Sequence, residues 1–167
     1  MNAEFVLQLM LKKIAGDGPV EIGYRDVAMR ARTDQLIREH IAADLERLQA
    51  KVEELKTSAT DEGEEDMLED LDRLDTRLAR TIEALRGADY SGVRFLAEPA
   101  VSEAQLGRVC SYDRALLEDL ELLANDVMGM KYETIGNLTL REAEGTLAAI
   151  EMKVTNRKDA FDMSGEE

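Results

Sequence analysis

His40 is the only histidine in the chain. A lone histidine on a helix is the group through which a helical bundle would carry phosphotransfer, a neutral imidazole attacking a phosphoryl group. Its surroundings, Arg38-Glu39-His40-Ile41-Ala42-Ala43-Asp44, argue against that chemistry. Two carboxylates would repel an incoming phosphate, no lysine is close, and the acid-then-proline pattern of sensor kinases is missing. The expectation is a surface histidine with an ordinary titration near neutral pH.

Carboxylates are the second candidate. The densest run is Asp61-Glu62-Gly63-Glu64-Glu65-Asp66, continuing to Glu69, Asp70 and Asp72. Asp66 with Glu69, Glu69 with Asp72, and Glu118 with Glu121 lie one helical turn apart, where two carboxylates can share a divalent cation. All-helical nucleotide pyrophosphohydrolases hold magnesium with such pairs. In a chain this acidic the same spacing arises repeatedly by chance. A solvated helix face is therefore expected, its negative charge favourable near a helix N-terminus. Carboxylate-bridged di-iron chemistry normally wants two Glu-x-x-His pairs, which one histidine cannot supply. A zinc site of cysteine and histidine fails likewise. There is no phosphate-binding glycine loop, nucleophile elbow or dinucleotide fingerprint. Accordingly, no catalytic, cofactor-binding or metal-binding residue is assigned.

Cys110, the only cysteine, has no basic neighbour to activate it and is expected to be a small buried hydrophobe. With no intramolecular disulfide possible, a reducing, cytoplasmic compartment is expected. Asp113 and Arg157 stand apart from the other charges because each interrupts an apolar seam.

The seams define the elements. Asn2 to Ala15 reads as a capped helix with Phe5, Val6, Leu9, Met10 and Ile14 on one face. Gly16-Asp17-Gly18 breaks it. The next helix begins either at Pro19 or after an extended Val20–Tyr24 stretch, and is well marked from Asp34. Ile41, Leu45, Leu48, Val52 and Leu55 then follow a 4-3-4-3 spacing. Thr57 to Gly63 is read as the turn. Asp61 is its predicted N-cap for a third helix, completing a capping box with Glu64. Met67, Leu71, Leu74, Leu78, Thr81 and Leu85 form that helix's seam.

Ser102 opens a fourth helix, with Gln105 expected to reach back and Val101 to staple onto Leu106. Its seam runs Leu106, Val109, Asp113, Leu116, Leu120, Leu123, Val127, Met130. Thr139 with Glu142 predicts a second capping box, opening a fifth helix with Leu140, Ala143, Leu147, Ile150, Val154, Arg157 and Phe161 in register. Short turns make each consecutive pair antiparallel. Asp113, early in one helix, should then lie near Arg157, late in its partner.

The predicted fold is all-α, a four-to-five-helix bundle or elongated coiled coil in a single domain over 1–167. It divides into an N-terminal helix (1–18), a first helical hairpin (19–87), a connector (88–101), a second helical hairpin (102–162) and a tail (163–167). A chain of 167 residues can bury a sizeable core. Its net charge of −15 repels phosphate backbones and anionic membranes but admits a basic protein partner. No signal-like or membrane-spanning segment is visible.

The function expected from this pattern is a non-enzymatic, cytoplasmic protein-interaction module that self-associates, most simply as a two-fold dimer, and binds another protein. No nucleic acid is expected. The alternatives are a metal-dependent helical nucleotide hydrolase, and a peripheral membrane or filament component acting through the first helix and Lys12-Lys13.

Overall fold

The computed structural model describes residues 2–16 and 21–163. Five helices account for the architecture: α1 (Ala3–Ala15), α2 (Val27–Asp61), α3 (Glu65–Arg86), α4 (Glu103–Met128) and α5 (Asn137–Asp162). A 3-10 turn, Arg94–Leu96, interrupts the connector, and no strand occurs among the described residues.

Each predicted seam becomes a buried stripe. Ile41, Leu45, Leu48, Val52 and Leu55 of α2 face Leu71, Leu74, Leu78 and Leu85 of α3 across the first hairpin. The pairing of Gln49 with Asp75, and of Lys56 with Asp72 and Asp75, shows that these helices are antiparallel. α4 and α5 form the second hairpin, with Asp119 bonded to Lys153 and Gln105 Nε2 donating to the Phe161 carbonyl. The hairpins pack side by side, α2 on α4 and α3 on α5, leaving α2/α5 and α3/α4 on the diagonals of a square. α3 and α5 run parallel, since Arg73 meets Glu144 and Arg77 meets Glu151.

Because α3 and α4 are diagonal, residues 87–102 must cross one end of the bundle. They plug it with Tyr90, Val93 and Phe95. Asp162 fixes the plug by accepting from the Arg94 and Phe95 N–H groups at 3.1 and 3.0 Å. At the other end, the turn between α4 and α5 folds Met130, Tyr132 and Ile135 onto the core.

Several local expectations need correcting. α2 starts at Val27, capped by Asp26, whose side chain accepts from Ala28 N–H at 3.0 Å. Residues 21–26 are not helical, and Tyr24 is buried in the core. Gly23 has φ +141, where its missing side chain matters twice: an L residue is strained there, and a Cβ would lie 3.0 Å from Gln8 Oε1. The alternative start at Pro19 lies outside the described residues. α2 also continues through Asp61, with Glu62 as its C-cap and Gly63 (φ +70) turning the chain, so Asp61 caps nothing, and Glu64 occupies the α3 cap without a side-chain bond. α5 begins two residues before Thr139, at Asn137, which removes the second capping box. Ser102 does cap α4, accepting from Gln105 N–H at 3.0 Å.

α1 packs chiefly on α4 and buries only part of the predicted face: Met10 and Ile14 pack against the core. Leu7 and Leu11 are buried, whereas Phe5 and Leu9 are 52% and 45% exposed. Apolar residues lie on both sides of the polar stripe Glu4, Gln8 and Lys12, so periodicity alone does not select the inner face. Leu7→Ala is expected to lower unfolding free energy by about 2–5 kcal/mol, while Phe5→Ala and Leu9→Ala stay within about 0.5 kcal/mol of wild type. Urea denaturation measures all three, and the reverse ordering would refute this orientation of α1.

Candidate functional site

The charged residues that interrupt the seams converge at the plugged end. Arg157 of α5 is fully buried. Its guanidinium forks onto Asp113 of α4, with Nε 2.8 Å from Oδ1 and Nη2 2.9 Å from Oδ2. Nη1 donates to Asp34 Oδ1 of α2 at 2.5 Å, and Nη2 lies 3.1 Å from the Tyr24 hydroxyl. That hydroxyl donates to Asp113 Oδ2 at 2.5 Å. Asp34 is gripped from its other side by Arg38, one turn along α2, at 2.9 and 3.1 Å from Oδ2. Two carboxylates and two guanidiniums thus cancel within one cluster.

Aromatic rings wall it in. The Arg157 guanidinium carbon sits 4.5 Å from the Phe161 ring centre and 5.2 Å from that of Tyr90. Arg38 stacks on the other side of the cluster, 4.6 Å from Tyr90. Tyr24 meets Phe95 and Phe161 edge-on at 5.6 and 5.7 Å, the geometry that ring quadrupoles favour. Burial, and then the Asp113 charge, hold the Tyr24 hydroxyl's pKa well above its ordinary value, so it stays a protonated donor. Burial works against the Arg157 charge, but Asp113 and Tyr24 overcome it and keep the guanidinium fully protonated.

Arg30, one turn before Asp34, is the other buried cation. It is held by carbonyls rather than carboxylates: Tyr24 at 2.6 Å, Phe95 at 2.9 Å and Glu98 at 2.6 Å. Its guanidinium lies 4.6 Å from the Phe95 ring centre. Arg30 therefore ties the connector to the start of α2, and burial lowers its pKa from the ordinary value.

A crevice of about 450 Å³ opens between α2 and the connector beside this cluster, lined by Asp34, Gln35, Arg38, Tyr90, Ser91 and Leu96 among others. Asp34 and Asp113 both have their oxygens occupied by Arg or Tyr donors, so the cluster presents no free base. Its chemistry is that of a closed, charge-neutral lock between four segments of chain.

The other candidates fall elsewhere. His40 lines a groove of about 320 Å³ with Met10, Ile14, Leu117 and Leu120, its Nε2 3.5 Å from Asp44. Burial and then Arg47, which also pairs with Asp44, push its pKa below the usual value. Cys110 is buried as expected, and burial raises its thiol to about 12, which keeps it an unreactive thiol at neutral pH.

The carboxylate pairs do not assemble into a cage. Asp66, Glu69 and Asp70 border a crevice of about 300 Å³ between α3 and α5. Arg73 occupies it, bonding Asp70 at 2.8 Å and Glu144 at 3.0 Å. Asp72 pairs with Lys56 at 2.8 Å, and Glu118 with Arg114 at 2.8 Å. Among the described residues, no three His, Cys, Asp or Glu groups are placed to hold a metal ion. No described helix is long and apolar enough to cross a membrane.

Sequence reasoning found Asp113 and Arg157 but missed Tyr24, Arg30, Asp34, Arg38 and Tyr90. One signal was present. Arg30, Asp34, Ile37 and Ile41 follow the 4-3-4 spacing that continues into the α2 seam, so two charges stand in core register there.

Two outcomes are expected. Arg157→Met leaves two carboxylates short of a donor and should cost about 3–5 kcal/mol. The double variant Asp113→Leu/Arg157→Leu should lose less than the sum of its singles by about 1–3 kcal/mol. Additive losses in a denaturant-based mutant cycle would show the pair to be uncoupled.

His40 supplies a pH test. Its folded pKa is depressed, so the unfolded chain binds the proton more readily and stability falls as pH drops through the ordinary histidine value. Wild type should therefore lose more stability than His40→Gln between pH 7.5 and 5.5. Parallel pH profiles for the two proteins would remove the effect.

Compared with protein-family models, curated proteins and solved structures, the chain matches none, so what this arrangement does rests on its own residues.

Proposed function

We propose that the protein is a non-enzymatic, cytoplasmic interaction module, a helical scaffold, adaptor or chaperone-like binder that docks proteins on the outward faces of its helices. One contrast carries this reading. The ionisable groups that converge in the core neutralise one another, while large apolar side chains stay on the surface. Phe5, Leu9, Leu122, Met128, Leu138 and Met152 are each 45–71% exposed. Single exposed apolar residues are ordinary on a protein surface, but helix faces that combine them with charged rims are what partner helices use.

The net charge of −15 favours a partner with a basic surface, which it steers into encounter. The hydrolase alternative has weaker support: Asp72 of the Glu69/Asp72 pair and Glu118 of the Glu118/Glu121 pair already accept from lysine or arginine, so a metal ion at either pair would have to displace that cation.

In-cell cross-linking followed by mass spectrometry tests the proposal. Cross-links to other chains should map to the outward faces of α1, α4 and α5. Thermal melting with millimolar magnesium or manganese should show no increase in Tm, because a ligand specific to the native state must raise it. A protein that cross-links to no other chain, or one stabilised by metal, would overturn the reading.

A further inference from the structure

Phe5 and Leu9 are the only large apolar side chains among the described residues that are exposed one helical turn apart on the same helix. Leu122 and Met128, and Leu138 and Met152, are spaced too far apart along α4 and α5 to form such a pair. Opposite Phe5 and Leu9, α1 seats Leu7 and Leu11 in the core. The face is therefore held rigidly and is apolar at its centre.

Carboxylates lie at one end of it and lysines at the other. At the start of α1, Glu4 and Glu103 flank Arg25, which donates to both, and Glu103 stays 79% exposed, so its carboxylate is open to a further cation. At the other end, Lys12 and Lys13 are both exposed.

We infer that the outer face of α1 pairs with the same face of a second copy, antiparallel and related by a two-fold axis midway between Phe5 and Leu9. This rests on the interaction-module reading and specifies one partner and face for it. Antiparallel pairing about that point sets Phe5 against the second copy's Leu9, and Leu9 against its Phe5. It also brings Lys12 and Lys13 toward the carboxylates of Glu4 and Glu103. The pattern is self-complementary, which is what a two-fold interface requires. A parallel pairing would set lysines against lysines and carboxylates against carboxylates, so charge selects the antiparallel arrangement.

Size sets the strength. A helix of 13 residues is about 20 Å long, and one face of it covers on the order of 400 Å² per copy. The total of about 800 Å² lies below the roughly 1,200–2,000 Å² of stable complexes, so the dimer is weak and forms only at high protein concentration. Two chains of this net charge also repel, and about 0.15 M salt is needed to screen that field while the contact forms.

Sedimentation equilibrium of the full chain from 5 μM to 1 mM, at 0.15 M salt, tests the inference. Wild type should shift reversibly to dimer over that range. Leu9→Glu should stay monomeric, and Lys12→Glu/Lys13→Glu should weaken dimerisation at least tenfold. Leu122→Glu, on α4, should dimerise like wild type. Circular dichroism confirms that each variant is folded, and Leu9→Gln serves if Leu9→Glu is not.

A wild type that remains monomeric to 1 mM overturns the inference, as does a dimer that survives both Leu9 variants. Vesicles of mixed neutral and anionic lipid provide the remaining arm. Sedimentation of wild type but not Leu9→Glu with them, in the absence of any dimer, assigns the face to a lipid surface instead. A monomer that still cross-links to other proteins in the cell removes this inference alone and leaves the interaction-module reading standing.

Discussion

Burying a guanidinium in a helical core is costly unless every donor finds an acceptor and the charge finds its opposite. Arg157 meets both demands with groups from three other segments: Asp113 on α4, Asp34 on α2 and the Tyr24 hydroxyl ahead of α2. Much of the rest of the plugged end follows from that requirement. Tyr24 must be out of helix to reach inward, which needs the tight turn at Gly23. Arg38 must close the second side of Asp34. The connector must cover the cluster with Tyr90 and Phe95, because water admitted there would compete for the same bonds.

The lock also constrains how the helices can slide. Leucine-rich seams of similar size tolerate shifts by a heptad at modest cost in packing, since one apolar contact replaces another. A one-heptad shift of α5 along α4 would carry Arg157 about 10 Å from Asp113 and leave charges buried without partners. Since Arg157 is bonded to both hairpins, the same side chain sets α5 against α4 and the second hairpin against the first. Among the described residues, the opposite end, closed by Met130, Tyr132 and Ile135, carries no comparable device.

How much of this was legible depended on whether a signal was periodic or local. The four seams, both hairpins and the Asp113–Arg157 pair followed from heptad spacing, because a charge that interrupts an apolar stripe is conspicuous and antiparallel pairing fixes its partner. Arg30 and Asp34 carry the α2 spacing back beyond Ile37, but as charges they read as the polar approach to the seam rather than as part of it. Tyr24 and Tyr90 lie outside helices, where no period reports on burial. The capping motifs at Asp61 and Thr139 misled because a cap sequence is only an option. α2 had no breaker before Gly63 and ran on through Asp61, and α5 gained bonds by starting earlier. On α1, apolar residues on both sides left the choice of face to packing against α4, which no local pattern records.

Charge distribution connects the core to the surface. The central cluster cancels internally, so it contributes nothing to the chain's net charge of −15, which is carried outside it. An acidic surface of that strength keeps copies apart and makes apolar exposure tolerable, since Phe5, Leu9 and the other exposed side chains sit within a field that opposes indiscriminate association. The same field raises the requirement on any partner: it must bring positive charge, or the protein must supply its own beside the apolar contact. Lys12 and Lys13 adjoin the one paired apolar face, whereas the arginines and lysines along the hairpin seams are occupied, Lys56, Arg73, Arg77 and Lys153 all being bonded to carboxylates. A charge lock that needs nothing from outside, and a surface where exposed lysines stand beside an exposed apolar pair, divide the molecule into a part that specifies shape and a part free to meet another chain.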